Sequence, residues 1–207
     1  FDDAICVEAD ADGFTLYVSI ADVSHYVPTN SAIDREAYLR GTSVYLPDRV
    51  LPMLPERLSN DLCSLVPDQD RPAFTAILRF DLQGRRINEK YCKSLMRSRQ
   101  RFTYTIVNQL LYLRDPQSRS NYQDLVPMLE QADRLTVLLK KRRMDRGSLE
   151  FNIPEPEVGL DGDRVTSIQL AKRNQAHQLI EDCMLAANEA VAETLARAQR
   201  PVLYRIH

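Results

Sequence analysis

Two turn sequences, each lying between apolar extended segments, constrain the fold of this chain more than any other feature. The first is Asp10-Ala11-Asp12-Gly13 and the second contains Gln83-Gly84. Aspartate and glycine at such positions are typical of tight turns, so each turn is predicted to close a β-hairpin. The extended segments that they join are Ala4–Ala9 with Thr15–Ala21 and Pro72–Asp81 with Arg85–Arg97.

Helical segments alternate with these hairpins. Ser31 and Asp34 form a capping-box-like pattern at the start of a short helix that Gly41 ends. Apolar residues recur at helical spacing in Ile106–Leu113, Leu125–Met144 and Lys172–Gln199. Further strands are predicted at Thr42–Leu46, Leu149–Ile153, Arg164–Leu170 and Val202–Ile206. This order predicts a mixed α/β (α+β) domain, in which helices flank a largely antiparallel or mixed sheet.

Composition limits the classes of function. The chain has 207 residues, 44% hydrophobic and 27% charged, so one folded domain, or two small ones, is expected. The formal net charge is −2, which excludes a global basic field, so any polyanion site must be local. Because there is no long apolar run and no signal-like N-terminus, we expect a cytoplasmic protein without a membrane segment.

Residue patterns argue against several cofactors. The four cysteines are scattered without CxxC spacing, which favours buried thiols, and the three histidines are equally dispersed. No GxGxxG or Walker-type loop is present, which disfavours an organic nucleotide cofactor. The chain lacks an initial Met and stops directly after a predicted strand, so we interpret it as part of something longer.

Two adjacent carboxylates, Asp2 and Asp3, lead into the first predicted strand. Neighbouring residues of an extended chain point to opposite faces, so the two cannot both enter one apolar core. They form either a solvated strand edge or part of a metal cluster. On the residues alone, the solvated edge is the commoner arrangement.

The last predicted helix carries a polar stripe beside its apolar face. The face opposite the apolar one contains Gln178, Asp182, Glu189 and Glu193, and the border contains Asn174, His177, Glu181 and Asn188. Such a border either faces a cleft or forms a hydrogen-bonded rim of the core, and the rim is the commoner arrangement. Glu181 is the carboxylate best placed to face a site.

Two aromatic residues, Tyr45 and Phe151, lie on separate predicted strands. They could sandwich a nucleobase, since stacking contributes about 1–3 kcal/mol per base, although most strand aromatics belong to a core. The cations Lys140-Lys141-Arg142-Arg143 and Arg146 precede Phe151, and such runs are most often the solvated C-terminal end of a helix.

Six sequence blocks follow one another over essentially the whole chain. They are Phe1–Ile5, Ile20–Val27, Arg40–Pro47, Pro52–Pro55, Leu58–Leu65 and Leu179–Met184. In order and spacing they resemble the ribonuclease II/ribonuclease R (RNB-type) family. The sequence RGTSVYLP at Arg40–Pro47 and RGSLEF at Arg146–Phe151 indicate the ribonuclease R branch.

The resemblance implies that residues 1–207 are a single, incomplete RNB-type catalytic domain of a processive 3′→5′ exoribonuclease. Such an enzyme uses Mg²⁺ to hydrolyse single-stranded RNA to nucleoside 5′-monophosphates. Asp2 and Asp3 match the last two of four aspartates in the family's acidic centre. Asp3 is the better candidate for metal ligation, and Asp2 is its essential partner.

The resemblance also implies roles for four other residues. Tyr45 and Phe151 match the two aromatics that clamp RNA bases, Tyr104 matches a tyrosine near the 3′-terminal nucleotide, and Glu181 matches a glutamate that contacts this nucleotide. The expected protein is monomeric, and OB-type RNA-binding modules and the rest of the domain lie outside this chain. The alternatives are a catalytically inactive, RNA-binding member or fragment and a structural scaffold.

Overall fold

A four-stranded antiparallel sheet is the centre of the fold. The computed structural model describes residues 1–149, 156–162, 164–170 and 173–204. The strands are β1 (Asp3–Asp10), β2 (Gly13–Ala21), β5 (Asp70–Asp81) and β6 (Arg86–Arg97), in the order β1-β2-β5-β6. Both predicted hairpins are therefore confirmed, and β1 lies at an edge of this sheet.

The residues of the two central strands alternate between a buried and a more exposed face. Phe14 lies opposite Phe80 and Leu16 lies opposite Leu78, and all four side chains are buried. The sheet register thus places the largest apolar side chains of β2 and β5 on the same face.

Three helices cover this apolar face. They are α3 (Tyr104–Leu111), α5 (Val126–Asp145) and α6 (Gln175–Arg197), and they bury Leu110, Leu135 and Cys183 completely. The shorter helices are α1 (Val23–Tyr26), α2 (Ala32–Arg40) and α4 (Pro116–Asn121). Ser31 caps α2 as predicted, because its hydroxyl accepts a hydrogen bond of 3.1 Å from the backbone N–H of Asp34.

Two small ribbons and a π-helical turn complete the described fold. Strands β3 (Val44–Tyr45) and β4 (Val50–Leu51) pair with each other, as do β7 (Pro156–Asp161) and β8 (Arg164–Leu170), and the turn spans Arg57–Leu62. The predicted fold class, a mixed α/β (α+β) domain, is confirmed.

Several local predictions were wrong. Helix α4 and strand β7 were not predicted, the strand at Thr42–Leu46 shrinks to two residues, and residues 201–204 carry no strand. Of the predicted strand Leu149–Ile153, all but Leu149 lies outside the described residues. Cys63 and Cys183 are buried thiols, whereas Cys6 is exposed. In the described ranges, no helix is both long and apolar enough to cross a membrane.

Candidate active site

A cavity of about 550 Å³ runs along the outer edge of β1. Its walls come from β1 and β2, from the end of β6 and the connection 98–103 that leads to α3, and from α3, α5 and α6. Because β1 is an edge strand, the cavity reaches residues from both of its faces, Ile5 and Val7 on one and Ala4 and Cys6 on the other. The unpaired edge of the sheet is therefore part of the cavity wall.

Asp3 contributes a half-buried carboxylate to this cavity. Burial raises the pKa of Asp3, and the neighbouring charge of Asp2 raises it further. Asp2 is exposed and does not line the cavity, and its backbone carbonyl accepts a hydrogen bond of 2.9 Å from the Ala21 N–H. The two side chains thus differ in environment, as expected for neighbours on a strand.

Tyr104 brings an aromatic ring to the same cavity. It is the first residue of α3, where the Thr103 hydroxyl accepts a hydrogen bond of 3.3 Å from the Ile106 N–H. The Tyr104 ring stacks on the imidazole of His177, with 3.8 Å between ring centroids and 23° between planes. A carboxylate from the sheet edge and the ring of Tyr104 therefore border one space, and His177 of α6 stacks on that ring without lining the cavity itself.

The connection between β6 and α3 adds positive charge to the cavity rim. Arg97, Arg99 and Arg101 all line it and are all exposed. Arg97 donates a hydrogen bond of 2.7 Å to Asp70, and the guanidinium of Arg101 lies 4.4 Å from the centre of the Phe1 ring. These cations form a local basic surface at the rim of a cavity that Asp3, Glu8 and Asp124 also line. A polyanion site in a chain of negative net charge requires such local cations.

Glu181 lies one residue beyond Ile180, a residue of the cavity wall, but does not itself line the cavity. Its carboxylate is exposed and forms an ion pair with Arg173. The prediction that Asp182 lies on the face of the last helix opposite its apolar face is wrong, because Asp182 is only 3% exposed and pairs with Arg143 of α5. A helical wheel assigns polar residues to the solvent side, so it cannot predict an ion pair that is buried between two helices.

Tyr45 lies on β3 with 78% of its surface exposed, and it does not line the cavity. Tyr45 therefore does not belong to the core of the described fold, which was the alternative to its predicted role in base stacking. Phe151, its expected partner, lies outside the described residues.

The sequence interpretation named His177 only as part of the polar border of the last helix and missed its stack on Tyr104, and it also missed the three rim arginines. Both had a sequence signal: His177 stands three residues after Asn174, the spacing of a capping box, and the arginines alternate in Arg97-Ser98-Arg99-Gln100-Arg101. Among the described residues, no group of three or more His, Cys, Asp or Glu side chains could hold a metal ion.

The fold and cavity define an α+β domain with a mixed-charge, partly aromatic cavity at a sheet edge. The chain belongs to the RNB domain family, which matches residues 1–207. It is 43% identical to ribonuclease R of Vibrio parahaemolyticus over 209 aligned residues, covering 100% of this chain and 25% of that protein. The chain thus spans about a quarter of the length of the curated relatives that it matches.

Solved structures agree with this assignment. Mycoplasma genitalium RNase R, in complex with ribose-methylated single-stranded RNA, superposes with a TM-score of 0.90 at 37% identity, covering 100% of this chain and 32% of that one. Yeast Ssd1, a pseudonuclease, superposes with a TM-score of 0.71 at 17% identity, covering 96% of this chain and 24% of that one. At this low identity the likeness shows a common fold and nothing more.

Proposed function

We propose that this chain is part of the catalytic domain of a processive, Mg²⁺-dependent 3′→5′ exoribonuclease that releases nucleoside 5′-monophosphates from single-stranded RNA. The observation that carries the proposal is that Asp3 and Tyr104 border one cavity whose rim holds three arginines. An RNA 3′ end requires these same elements: an oxygen ligand for a metal, an aromatic surface for a base and cations for phosphates. Membership of the RNB family and the likeness to ribonuclease R support it.

The donor chemistry fits magnesium. Mg²⁺ prefers oxygen ligands and is commonly held by one or two carboxylates together with waters and substrate phosphates. Asp3 would be the protein ligand, and Asp2, the next residue, its partner. When bound, the ion would supply a more nucleophilic water and neutralise charge that develops on phosphate oxygens.

The remaining residues receive roles in RNA binding within this proposal. Tyr104 would contact the 3′-terminal nucleotide, Glu181 would contact the same nucleotide from α6, and Tyr45 and Phe151 would stack on bases. Stacking does not depend on base identity, so degradation would tolerate any sequence, and contacts to 2′-hydroxyl groups would favour RNA over DNA. OB-type modules outside residues 1–207 would add RNA affinity, and the protein would act as a monomer in the cytoplasm.

The test replaces Asp3 by Asn in the protein at its full natural length. We expect release of nucleoside 5′-monophosphates from a single-stranded oligoribonucleotide in Mg²⁺ to fall roughly 100-fold or more, because a metal ligand is lost. Chromatography of the products measures this, with chelation by EDTA as a second way to remove the metal. Asp12→Asn, which changes an exposed carboxylate in the turn that follows β1, is the matched control. Undiminished product release by Asp3→Asn would refute the assignment.

A second candidate function is RNA binding without catalysis. The observation that favours it is that Tyr104 and the three rim arginines could hold an RNA end without a metal ion, and yeast Ssd1, a pseudonuclease, shares the fold. Sequence-independent RNA binding with no mononucleotide release at any Mg²⁺ concentration would establish this alternative. If the protein neither binds nor cleaves RNA, the remaining interpretation is a structural scaffold.

A further inference from the structure

The stack between Tyr104 and His177 joins two parts of the fold that are far apart in sequence. Tyr104 begins α3, and His177 lies in the first turn of α6. Their ring centroids are 3.8 Å apart and the planes are inclined by only 23°. The two rings are therefore in face-to-face contact, an arrangement in which one aromatic ring restrains the orientation of the other.

The His177 ring is itself held by the helix that carries it. The Asn174 backbone N–H donates a hydrogen bond of 3.2 Å to His177 Nδ1, and the Ala176 N–H donates one of 3.1 Å to Asn174 Oδ1. Together these bonds form a capping box, in which the residue at the His177 position is usually Glu or Gln. Glutamate or glutamine would complete the cap equally well, but neither has a ring that can stack on Tyr104.

Tyr104 has few other restraints. The residue is 43% exposed, and in the described part of the chain the Tyr104 hydroxyl forms no hydrogen bond. The imidazole covers one face of the ring, and Tyr104 itself lines the cavity. A freely rotating tyrosine would lose rotamer entropy on binding a ligand, whereas a ring already held in place loses less.

We propose that His177 is a positioning residue that holds Tyr104 in its RNA-binding orientation, with the capping box of α6 fixing the imidazole. The inference rests on the proposed function, in which Tyr104 contacts the 3′-terminal nucleotide. His177 need not touch RNA, since it acts on the reaction through the Tyr104 ring. The same residue thereby links the stability of the α6 N-terminus to the geometry of the cavity.

Two substitutions separate the stack from the cap. His177→Gln keeps a side chain that can complete the capping box but removes the ring, and His177→Phe keeps a ring but removes the hydrogen-bond acceptor. We expect His177→Gln to raise KM for a short single-stranded oligoribonucleotide roughly 2- to 12-fold, the fold-change of a lost aromatic contact, with little change in kcat. His177→Phe should keep KM near the wild-type value and lower the midpoint of thermal unfolding by roughly 2–4 °C.

A purely structural role predicts the opposite pattern, since His177→Phe would then impair the enzyme more than His177→Gln. That outcome, or an unchanged KM in His177→Gln, would overturn the inference. In a Tyr104→Ala background, His177→Gln should have no further effect on KM, because no ring remains to be positioned. The wild-type protein shows which of the two proposals fails. If wild type neither cleaves nor binds RNA, the proposed function and the role of His177 are both wrong. If wild type is active but the variants show the wrong pattern, only the role of His177 is wrong.

Discussion

Adjacent residues of α6 have opposite environments, although both carry a carboxylate. Glu181 is exposed and pairs with Arg173 near the cavity, whereas Asp182 is 3% exposed and pairs with Arg143. Burial raises the pKa of Asp182, and the Arg143 guanidinium opposes this rise without cancelling it. The Arg143–Asp182 ion pair between α5 and α6 therefore carries a large desolvation cost, which the attraction between the two charges opposes.

Replacing Arg143 by Met should destabilise the fold in a pH-dependent way. Loss of the cation leaves the Asp182 carboxylate buried without this partner, and breaking such a pair typically costs about 3–5 kcal/mol. The pKa of Asp182 in the folded state then rises further above its unfolded value, so the folded variant binds a proton more readily than the unfolded chain does. The lost stability should shrink as the pH falls from 8 towards 5, as measured by urea unfolding at several pH values.

Two further variants control for this interpretation. Arg146→Met removes a cation whose pair with Glu189 is largely exposed, so it should cost less than about 1 kcal/mol. Arg143→Met combined with Asp182→Leu removes both charges and should recover most of the loss. An Arg143→Met deficit that is equal at pH 8 and pH 5 would contradict the account.

At the level of elements, the β1–β2 hairpin places Asp3 at the cavity, and its turn depends on Gly13. The Asp10 carboxylate accepts hydrogen bonds of 2.9 Å and 3.0 Å from the backbone N–H groups of Asp12 and Gly13. Gly13 has a φ of 149°, and a Cβ atom there would lie 2.0 Å from the Phe80 carbonyl oxygen. The turn thus needs glycine both for its conformation and for the close approach of β5.

Gly13→Ala should consequently destabilise the protein by about 2–4 kcal/mol, because the backbone of β2 or β5 must shift. Gly41→Ala is the matched control: its φ is 72°, but no atom of the described residues lies within 4 Å of the added Cβ, so we expect a cost of only about 1 kcal/mol. Thermal or urea unfolding of the two variants measures the difference. Similar losses in both would show that steric crowding at β5 is unimportant.

At the level of the whole molecule, charge is distributed so that a negative net charge coexists with a local basic surface. The net charge is −2, yet Arg97, Arg99 and Arg101 are exposed at one cavity rim. Long-range attraction of RNA by the whole domain would be weak, so phosphate contacts at the rim should dominate the electrostatic part of binding.

RNA affinity should therefore fall as the salt concentration rises. Arg99→Gln should lower the magnitude of the slope of log binding constant against log salt concentration by about 0.7, the value for one phosphate contact on single-stranded nucleic acid. The loss of affinity should be similar for RNAs of different sequence, because phosphate contacts carry no base information. Arg85→Gln, an exposed arginine paired with Asp81 at the β5–β6 turn, should leave the slope unchanged. Titrations at several salt concentrations measure the slope, and equal slopes for Arg99→Gln and wild type would exclude Arg99 from the proposed RNA site.

Much of the fold could be predicted from the sequence, because hairpin turns, helix caps and apolar periodicity are local signals. The two long hairpins, the Ser31 cap and helices α3, α5 and α6 all carried such signals. Helix α4 and strand β7 were missed, since their segments are short and have little apolar periodicity. Family blocks identified Asp3, Tyr104 and Glu181 as candidate site residues, and their assigned roles in RNA cleavage remain predictions.

The sequence by itself determined the fold class, the family and the residue types available for a metal and an RNA end. Only the tertiary structure decided which of these residues meet. The sequence predicted all four of Asp3, Tyr104, Glu181 and Tyr45 as site residues. In the structure Asp3 and Tyr104 line one cavity, whereas Glu181 and Tyr45 do not. The burial of Asp182 against Arg143 and the stacking of His177 on Tyr104 were also decided there. The physical reason is that periodicity describes one element at a time, whereas a cavity, a buried ion pair or a ring stack exists only when two elements pack.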